Sequence, residues 1–376
     1  MRVPLSDPVR EFREREKEIR AGVAAVLSSG KYILGEAVER FEEQFAARVG
    51  TRFAIGVASG TDAVELAIEA LGIGAGDEVI TTPFTFLATA TAIMSTGARP
   101  VFADVVPDTF TLDPASVADA VTDRTAAIVP VHLFGQMADL SSITELADRL
   151  GLAVVEDAAQ AFGATQSRQA GSEAQAGSVG VAGSFSFYPT KSLGAAGDGG
   201  MITTDDAALA ERLVSLRNHG RTPAGGHAEP GHNSRLDAVQ AAFLSAKLPL
   251  VDDWTARRRE HAAAYDEALE EAHGLIPPAT ADGNRHIFHQ YVVLCHGRER
   301  VIRALEAADV SWATFYDPPI HRLDALAAHG FDRTSCPVAE ELATRVLSVP
   351  VFAHLLPEER DRVASALAES GSLQPR

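Results

Sequence analysis

Cysteine is scarce in this chain, with only Cys295 and Cys336 among 376 residues. Two cysteines are too few for a disulfide framework, and no CxxC pair or Cys/His cluster indicates a zinc site. The N-terminus lacks a basic segment followed by an apolar core, and no uninterrupted apolar run approaches the ~20 residues of a membrane span. We therefore expect a soluble protein of the reducing cytoplasm that binds no metal.

Positive charge is also scarce. The sequence holds 33 basic and 51 acidic residues, which gives a formal net charge of −18 at pH 7. Nucleic acid and anionic membranes repel such a surface unless it carries a basic patch. The cluster from Arg257 to Arg259 is short and adjoins acidic residues. The composition therefore argues against nucleic acid or a membrane as a partner.

The hydrophobic pattern indicates alternating strands and helices followed by a change of pattern near Leu250. A chain of this length exceeds a single hydrophobic core, so two domains are expected. Apolar strand-like runs alternate with amphipathic stretches, which is typical of a mostly parallel α/β sheet. Strands are predicted at 53–58, 78–82, 100–104, 126–132, 153–157, 184–188 and 201–204, and helices at 8–29, 36–49, 63–71, 85–96 and 141–150. The domains are predicted at 1–250, the larger, and 251–376, a smaller α+β domain.

Lysine occurs only four times, although the chain is rich in arginine. Arginine stays protonated, whereas a desolvated lysine can lose its proton and form an imine with a carbonyl. Lys191 follows a predicted buried strand and precedes a glycine-rich tract between Gly194 and Gly200. A solvated loop residue is the simpler interpretation of one such lysine. Lys191 is therefore a Schiff-base candidate whose role depends on the rest of a site.

Other candidate residues fall near the carboxyl ends of predicted strands, where α/β folds bind ligands. The segment 59–62 lies between a strand and a helix, where backbone N–H groups bind anions and Gly60 permits close approach, although an ordinary capping turn is the more common interpretation of such a segment. Asp157 ends a strand and could pair with a pyridinium nitrogen or cap the next helix. Phe86 could stack on a flat ring or lie in the core, and Asn233 lies in a polar loop.

Taken in order, these stretches resemble the sugar aminotransferase family named after DegT, DnrJ, EryC1 and StrS. The matching motifs are GEAVERF (35–41), SGTDA (59–63), PFTFLAT (83–89), PVHLFG (130–135), EDAAQ (156–160), SFYPTK (186–191), NSRLD (233–237) and HQYVV (289–293). Members are pyridoxal 5′-phosphate (PLP) enzymes of the aspartate aminotransferase fold. The resemblance thus implies an α/β, type I PLP-dependent transferase with a mostly parallel central sheet and a smaller C-terminal α+β domain.

The resemblance implies a role for each candidate residue. Lys191 would hold PLP as a Schiff base, and Asp157 would pair with the ring nitrogen. The other implied cofactor contacts are Phe86 on the ring face, Gln160 near the 3′-oxygen, Ser186 with the backbone of Gly60 and Thr61 at the phosphate, and Asn233 at the phosphate of the neighbouring subunit. A homodimer with shared active sites is therefore also implied. The expected sugar contacts are Tyr32, Tyr188, Tyr316 and His321, although His321 could also be a capping or surface residue.

The implied reaction is a ping-pong transamination in which glutamate or glutamine supplies the amine and Lys191 moves the proton. Related sugar dehydratases have histidine at the position of Lys191, so the lysine favours an aminotransferase. The motifs most resemble members that act on nucleotide-linked keto-deoxysugars, at C3 or C4, in amino-sugar, secondary-metabolite or cell-surface polysaccharide biosynthesis. Many relatives have histidine in place of Phe315, which leaves the regiochemistry open.

Two alternative functions remain open at this point. One is an aminotransferase of an amino-cyclitol or aromatic-amine pathway that uses no nucleotide. The other is a non-catalytic, regulatory member of the fold, against which the intact Lys191, Asp157 and Ser186 argue.

Overall fold

The computed structural model describes residues 2–168, 171–270, 272–331 and 334–372. The helices are α1 Pro8–Glu14, α2 Glu16–Ser29, α3 Glu36–Val49, α4 Gly60–Ala70, α5 Ala88–Ser95, α6 Pro114–Ala120, α7 Leu140–Leu150, α8 Ala207–Leu216, α9 Ala238–Lys247, α10 Val251–Leu269, α11 Arg298–Ala307, α12 Asp324–Ala327, α13 Pro337–Arg345 and α14 Pro357–Ser372. The strands are β1 Phe53–Val57, β2 Glu78–Thr81, β3 Arg99–Phe102, β4 Thr125–Val129, β5 Ala153–Asp157, β6 Thr165–Ser167, β7 Glu173–Gln175, β8 Ala182–Ser186, β9 Gly200–Thr204, β10 Leu275–Ile276, β11 Asn284–Arg285, β12 Tyr291–Cys295 and β13 Val346–Val349. Within these residues, none of the helices is long and apolar enough to cross a membrane.

The central sheet has seven strands in the order β1-β9-β8-β5-β4-β2-β3. The pairs from β8 to β3 are parallel, whereas β9 runs antiparallel to both of its neighbours. The predicted mostly parallel α/β sheet is therefore confirmed. Because β2, β4, β5 and β8 are parallel, the segments that follow them meet at one edge of the sheet.

Apolar clusters cover both faces of this sheet. On one face α3 and α9 pack over it, and Phe45 contacts the rings of Phe162, Phe185 and Phe187 at centroid distances of 4.7, 5.0 and 5.5 Å. On the other face α4 and α8 bury aliphatic side chains against β1, β4, β5 and β9. Burial on both faces explains why the strands are continuous apolar runs rather than alternating ones.

The C-terminal part of the chain forms a second, antiparallel sheet in the order β10-β12-β13, with α10, α11 and α14 packed on it. Val3 also belongs to this apolar cluster and pairs with Val310. A further cluster contains Phe84 and Phe134 together with Val292, so the packing continues between the two parts. The division at residue 250 remains a prediction, and residues 373–376 of the predicted smaller domain lie outside the described residues.

Three predicted helices differ from the structure by an internal break or by more than one residue at the N-terminal end. The single helix expected over 8–29 is interrupted at Arg15, whose φ of −126° is not helical. The helix α4 begins at Gly60 rather than Ala63, because Ser59 caps it by accepting a hydrogen bond from the N–H of Asp62 at 3.1 Å. The helix α5 begins at Ala88, so Phe86 precedes the helix.

Candidate active site

A cavity of about 490 Å³ opens at the carboxyl edge of the central sheet. The predicted residues that line it are Gly60, Thr61, Phe86, Asp157, Gln160, Ser186, Tyr188, Lys191 and Tyr316. They come from the carboxyl ends of β5 and β8, from the segments after β1, β2, β5 and β8, and from a loop of the C-terminal part. The fold thus brings together residues that are up to 256 positions apart in the chain, from Gly60 to Tyr316.

Lys191 lies on a tight turn that follows β8. Its backbone N–H donates to the carbonyl of Tyr188 at 2.8 Å, and the N–H of Ala195 donates to the carbonyl of Phe187 at 2.8 Å. Burial lowers the pKa of Lys191 to about 8, although the negative charge of Asp157 opposes this shift. A substantial fraction of this amine is therefore neutral near pH 8, as imine formation requires.

Asp157 ends β5, and its carboxylate is buried at the cavity wall. Its Oδ2 accepts a hydrogen bond from the hydroxyl of Thr89 at 2.8 Å, and its Oδ1 accepts from the N–H of Ala159 at 3.2 Å. These two donors fix the carboxylate from the side chain of α5 and from the backbone that follows β5. A buried, oriented anion of this kind can stabilise a cation placed in the cavity.

The residue before Asp157 holds the strand end in place. Glu156 is fully buried and accepts hydrogen bonds from the imidazole of His132 at 2.8 Å and from the N–H groups of Gly177, Val179 and Gly180, each at 2.7 Å. Burial alone would raise the pKa of Glu156, but the hydrogen bonds from His132 and from the backbone outweigh it and hold the pKa below its usual value.

The tautomer of His132 follows from its second contact. Its Nδ1 accepts a hydrogen bond from the N–H of Ala138 at 3.1 Å, so Nε2 carries the proton that is donated to Glu156. The backbone N–H of His132 also donates to the carbonyl of Asp157 at 2.9 Å. The buried pair thus supports the strand end that presents Asp157.

A cradle of backbone and hydroxyl groups lies on another side of the cavity, where Gly60 meets Ser186. A Cβ atom on Gly60 would lie 2.6 Å from the Cβ of Ser186, so only glycine permits this approach. Gly60 and Thr61 are the first residues of α4, where backbone N–H groups lack partners within the helix. Helix N-termini with free N–H groups bind phosphate groups readily.

Aromatic and amide side chains complete the cavity wall. Phe86 is 59% exposed, and its ring centroid lies 6.2 Å from that of Tyr316. Gln160 donates to the hydroxyl of Tyr316 at 2.9 Å and accepts from the N–H of Phe134 at 2.9 Å. The exposed ring of Phe86 at the cavity offers a face on which a flat ligand can stack.

Three predicted residues are not brought to this cavity. Tyr32 is exposed on the loop before α3, and its hydroxyl donates to the carbonyl of Leu27 at 3.2 Å. His321 is completely buried, and its Nε2 lies 3.0 Å from a carboxylate oxygen of Glu340, so it does not face the cavity where a sugar contact was expected. Asn233 lines a separate pocket.

The structure also adds cavity residues that the sequence did not single out as site residues. Thr89 contacts Asp157, as described above. His289 and Gln290 enter from the C-terminal part, and within the described residues His289 Nδ1 and Gln290 Oε1 are buried without a hydrogen-bond partner. Burial and the positive charges of Lys191 and Arg258 lower the pKa of His289 well below its usual value. The motif HQYVV that contains both residues was the signal available in the sequence.

These features fit PLP. The cradle at Gly60 and Ser186 would hold the phosphate of PLP, and its ring would stack on the exposed face of Phe86. The buried carboxylate of Asp157 would pair with the ring nitrogen. Lys191, with its lowered pKa, is the amine suited to its aldehyde.

Comparison with known proteins agrees with this fit. A model of the DegT/DnrJ/EryC1/StrS aminotransferase family matches residues 13–368. The chain is 44% identical over 371 residues to a Geobacillus stearothermophilus protein named pleiotropic regulatory protein, with 98% of each chain covered. It is 44% identical over 369 residues to the dTDP-3-amino-3,4,6-trideoxy-alpha-D-glucose transaminase of Streptomyces venezuelae, covering 98% of this chain and 96% of that one.

Among solved structures, S. venezuelae DesV in complex with a ketimine intermediate superposes with a TM-score of 0.95 at 42% identity, and all of both chains is covered. A ketimine is the product of condensing an amine with a ketone, which is the chemistry of a transaminase. The chain therefore belongs to the DegT/DnrJ/EryC1/StrS aminotransferase family and is a PLP-dependent aminotransferase with the type I fold.

Proposed function

We propose that this enzyme transfers an amino group from glutamate or glutamine to the keto carbon of a nucleotide-linked keto-deoxysugar, at C3 or C4. The observation that carries the proposal is the meeting of Lys191, Asp157 and the Gly60–Ser186 cradle in one cavity. The chain is similar over nearly its whole length to a dTDP-3-amino-sugar transaminase. This similarity supports a nucleotide sugar as the amino acceptor and favours C3 as the carbon that receives the amine.

The chain's own residues divide the work of transamination. When bound, PLP supplies an electron sink for the carbon that carries the amine. We propose that Asp157 keeps the ring nitrogen protonated, and that Gly60, Thr61 and Ser186 hold the phosphate. Lys191 Nζ would take the proton from the α-carbon of the amino donor and return it at the cofactor carbon that was the aldehyde. In the second half-reaction Nζ would take a proton from that carbon and deliver it to the sugar carbon that receives the amine.

We infer a homodimer with shared active sites from the position of Asn233. Asn233 and Arg235 line a pocket next to the cavity, and Asp198 borders both spaces. The neighbouring Tyr32 and Ile33 are 49% and 51% exposed. A second subunit packed on this surface would remove these side chains from water. Asn233 would then reach the cofactor phosphate of the partner subunit.

The substrate proposal is tested by the reverse half-reaction. The PLP-loaded enzyme is mixed with dTDP- and UDP-linked 3-amino and 4-amino sugars, with amino-cyclitols and with aromatic amines, and the visible absorbance of the cofactor is followed in a single turnover. Reaction with a nucleotide amino sugar supports the proposal. Reaction only with a cyclitol or an aromatic amine favours the alternative without a nucleotide. No reaction with any amine, despite a lysine-bound cofactor, favours a regulatory function like that in the name of the G. stearothermophilus relative.

The shared site is tested by complementation. Lys191→Arg and Asn233→Ala chains are co-expressed with different tags and assayed at limiting PLP. Random pairing of symmetric dimers makes half of them mixed, and a mixed dimer has one intact site of two, so about one quarter of the wild-type activity is expected. If Asn233 serves its own chain, no site is intact and the mixture is no more active than the two variants alone.

A further inference from the structure

The structure contains a second lysine with an unusual environment, Lys247 at the end of α9. Its side chain is 2% exposed, and its Nζ lies 2.9 Å from a carboxylate oxygen of Glu11 in α1. The same Nζ donates a hydrogen bond of 2.5 Å to the backbone carbonyl of Gly194. Lys247 therefore connects three distant segments of the chain, and one of them is the turn that carries Lys191.

Aromatic rings enclose the remaining side of this ammonium group. Nζ lies 5.2 Å from the ring centroid of Phe243 and 5.4 Å from that of Trp254. An ammonium group has three N–H donors. Two of them are used by Glu11 and Gly194, and the two rings lie close enough to attract the positive charge. The ammonium group is thus held in one position.

A gain in folding stability does not by itself explain why a buried lysine and glutamate are paired here. Desolvating two charges offsets most of their attraction, and an apolar pair of similar size is often as stable or more stable. An apolar side chain at position 247 would fill the space, but it would leave the buried carbonyl of Gly194 without its donor. The hydrogen bond to Gly194 is what a lysine provides here and an aliphatic residue does not.

The carbonyl of Gly194 belongs to the tight turn around Lys191. A Cβ atom on Gly194 would lie 2.3 Å from the carbonyl oxygen of Pro189, so the two ends of the segment 189–194 are in direct backbone contact. The backbone hydrogen bonds from Lys191 to Tyr188 and from Ala195 to Phe187 close the same turn. Fixing Gly194 therefore fixes the backbone from which the Lys191 side chain extends.

We propose that Lys247 is a positioning residue for Lys191: its ammonium group, held by Glu11, Phe243 and Trp254, anchors the Gly194 carbonyl and so sets the position of the reacting amine. The inference rests on the proposed role of Lys191. It assigns no contact with substrate or cofactor to Lys247.

The first test replaces Lys247 by methionine and measures three quantities in the full-length enzyme. They are the rate at which the apoenzyme forms its lysine-bound cofactor, the pH midpoint of the visible absorbance, and kcat. We expect the rate and kcat to fall about 10- to 100-fold, as when a reacting group is displaced by a fraction of an ångström to 1 Å, together with a shifted absorbance midpoint. The double variant Glu11→Gln/Lys247→Met removes both charges, so it folds without a buried unpaired carboxylate and is expected to show the same defects.

The matched control is Arg10→Met. Arg10 lies next to Glu11 in α1 and forms ion pairs with Glu359 at 2.5 Å and with Asp7 at 3.0 Å, neither of which belongs to the Lys191 turn. This variant is expected to lower the thermal unfolding midpoint and to leave the absorbance titration and the rate of adduct formation unchanged. If both Lys247 variants match the wild type or Arg10→Met in these readouts, the positioning role is wrong. If Lys191→Arg instead retains a lysine-bound cofactor, the proposed role of Lys191 itself fails.

Discussion

Thr89 donates a hydrogen bond of 2.8 Å to Oδ2 of Asp157, and both residues are buried at the cavity. The hydroxyl of Thr89 has a single proton, and this contact uses it. The 3.3 Å contact between the hydroxyls of Thr85 and Thr89 must therefore be donated by Thr85. The hydrogen bonds from Thr85 to Thr89 and from Thr89 to Asp157 orient the carboxylate that we propose to face the ring nitrogen of PLP.

Replacing Thr89 by valine tests this chain of hydrogen bonds. Valine keeps the shape of threonine and removes the donor to Asp157. We expect PLP to bind and kcat to fall about 10-fold, which corresponds to ~1.4 kcal/mol of transition-state stabilisation. Thr91→Val on the same helix is the control, because among the described residues that hydroxyl donates to the carbonyls of Leu87 and Ala88 and does not contact Asp157. Equal kcat values for the two variants would mean that Thr89 has no role in orienting Asp157.

The positions of some site residues could be predicted from the local hydrophobic pattern of the sequence. Lys191 and Asp157 follow apolar runs long enough to identify as strands, so their place at the sheet edge could be expected. Thr89 could not be predicted, because its contact with Asp157 depends on how α5 packs against β5. His289 likewise reaches the cavity only through the packing of the C-terminal part on the sheet.

His321 is a candidate site residue from the sequence that the structure places outside the cavity. A histidine near a tyrosine in a proline-rich turn suggests a surface or substrate-binding role. In the structure the apolar cluster around Phe102 covers it, and Glu340 is its hydrogen-bonding partner. The antiparallel position of β9 within the sheet was equally inaccessible, since strand order depends on long-range pairing rather than on local sequence.

Asp157→Asn is expected to retain weak PLP binding and to lose most of the activity. Asparagine keeps the size of the side chain and can still contact Thr89 and Ala159, but it cannot stabilise a protonated ring nitrogen. Cofactor retention is measured by absorbance after gel filtration, and kcat under saturating PLP. Turnover close to that of the wild type would exclude the pairing between Asp157 and the ring nitrogen.

The reaction of the apoenzyme with PLP should depend on pH through Lys191. Burial lowers the pKa of this lysine to about 8, and only its neutral form attacks an aldehyde. Below pH 8 the rate of adduct formation is therefore expected to rise about tenfold per pH unit, and above pH 8 to level off. Stopped-flow measurement of the visible absorbance of the lysine-bound cofactor gives the rate.

Two variants separate the contributions to this profile. Asp157 raises the pKa of Lys191, so Asp157→Asn should move the midpoint to a lower pH. Lys191→Arg should keep the fold but form no adduct at any pH. A wild-type midpoint near 10, the ordinary value for an exposed lysine, would contradict the burial of this amine.

The buried pair of Glu156 and His132 predicts a sensitivity of stability to acid. The folded-state pKa of Glu156 lies below its usual value, so its contribution is present above the unfolded-state pKa and is lost as pH falls through the folded-state value. Glu156→Gln brings an amide N–H₂ group against N–H donors, and we expect it to cost about 3 kcal/mol at pH 7, as for other broken buried pairs. Thermal unfolding midpoints of wild type and variant should therefore differ clearly at pH 7 and converge as the pH falls below about 4.

Glu145→Gln is the control, because Glu145 pairs with Arg149 on the surface, where such pairs contribute about 0.5 kcal/mol or less. A gap between wild type and Glu156→Gln that stays constant with pH would show that the ionised carboxylate is not what stabilises the strand end beneath Asp157.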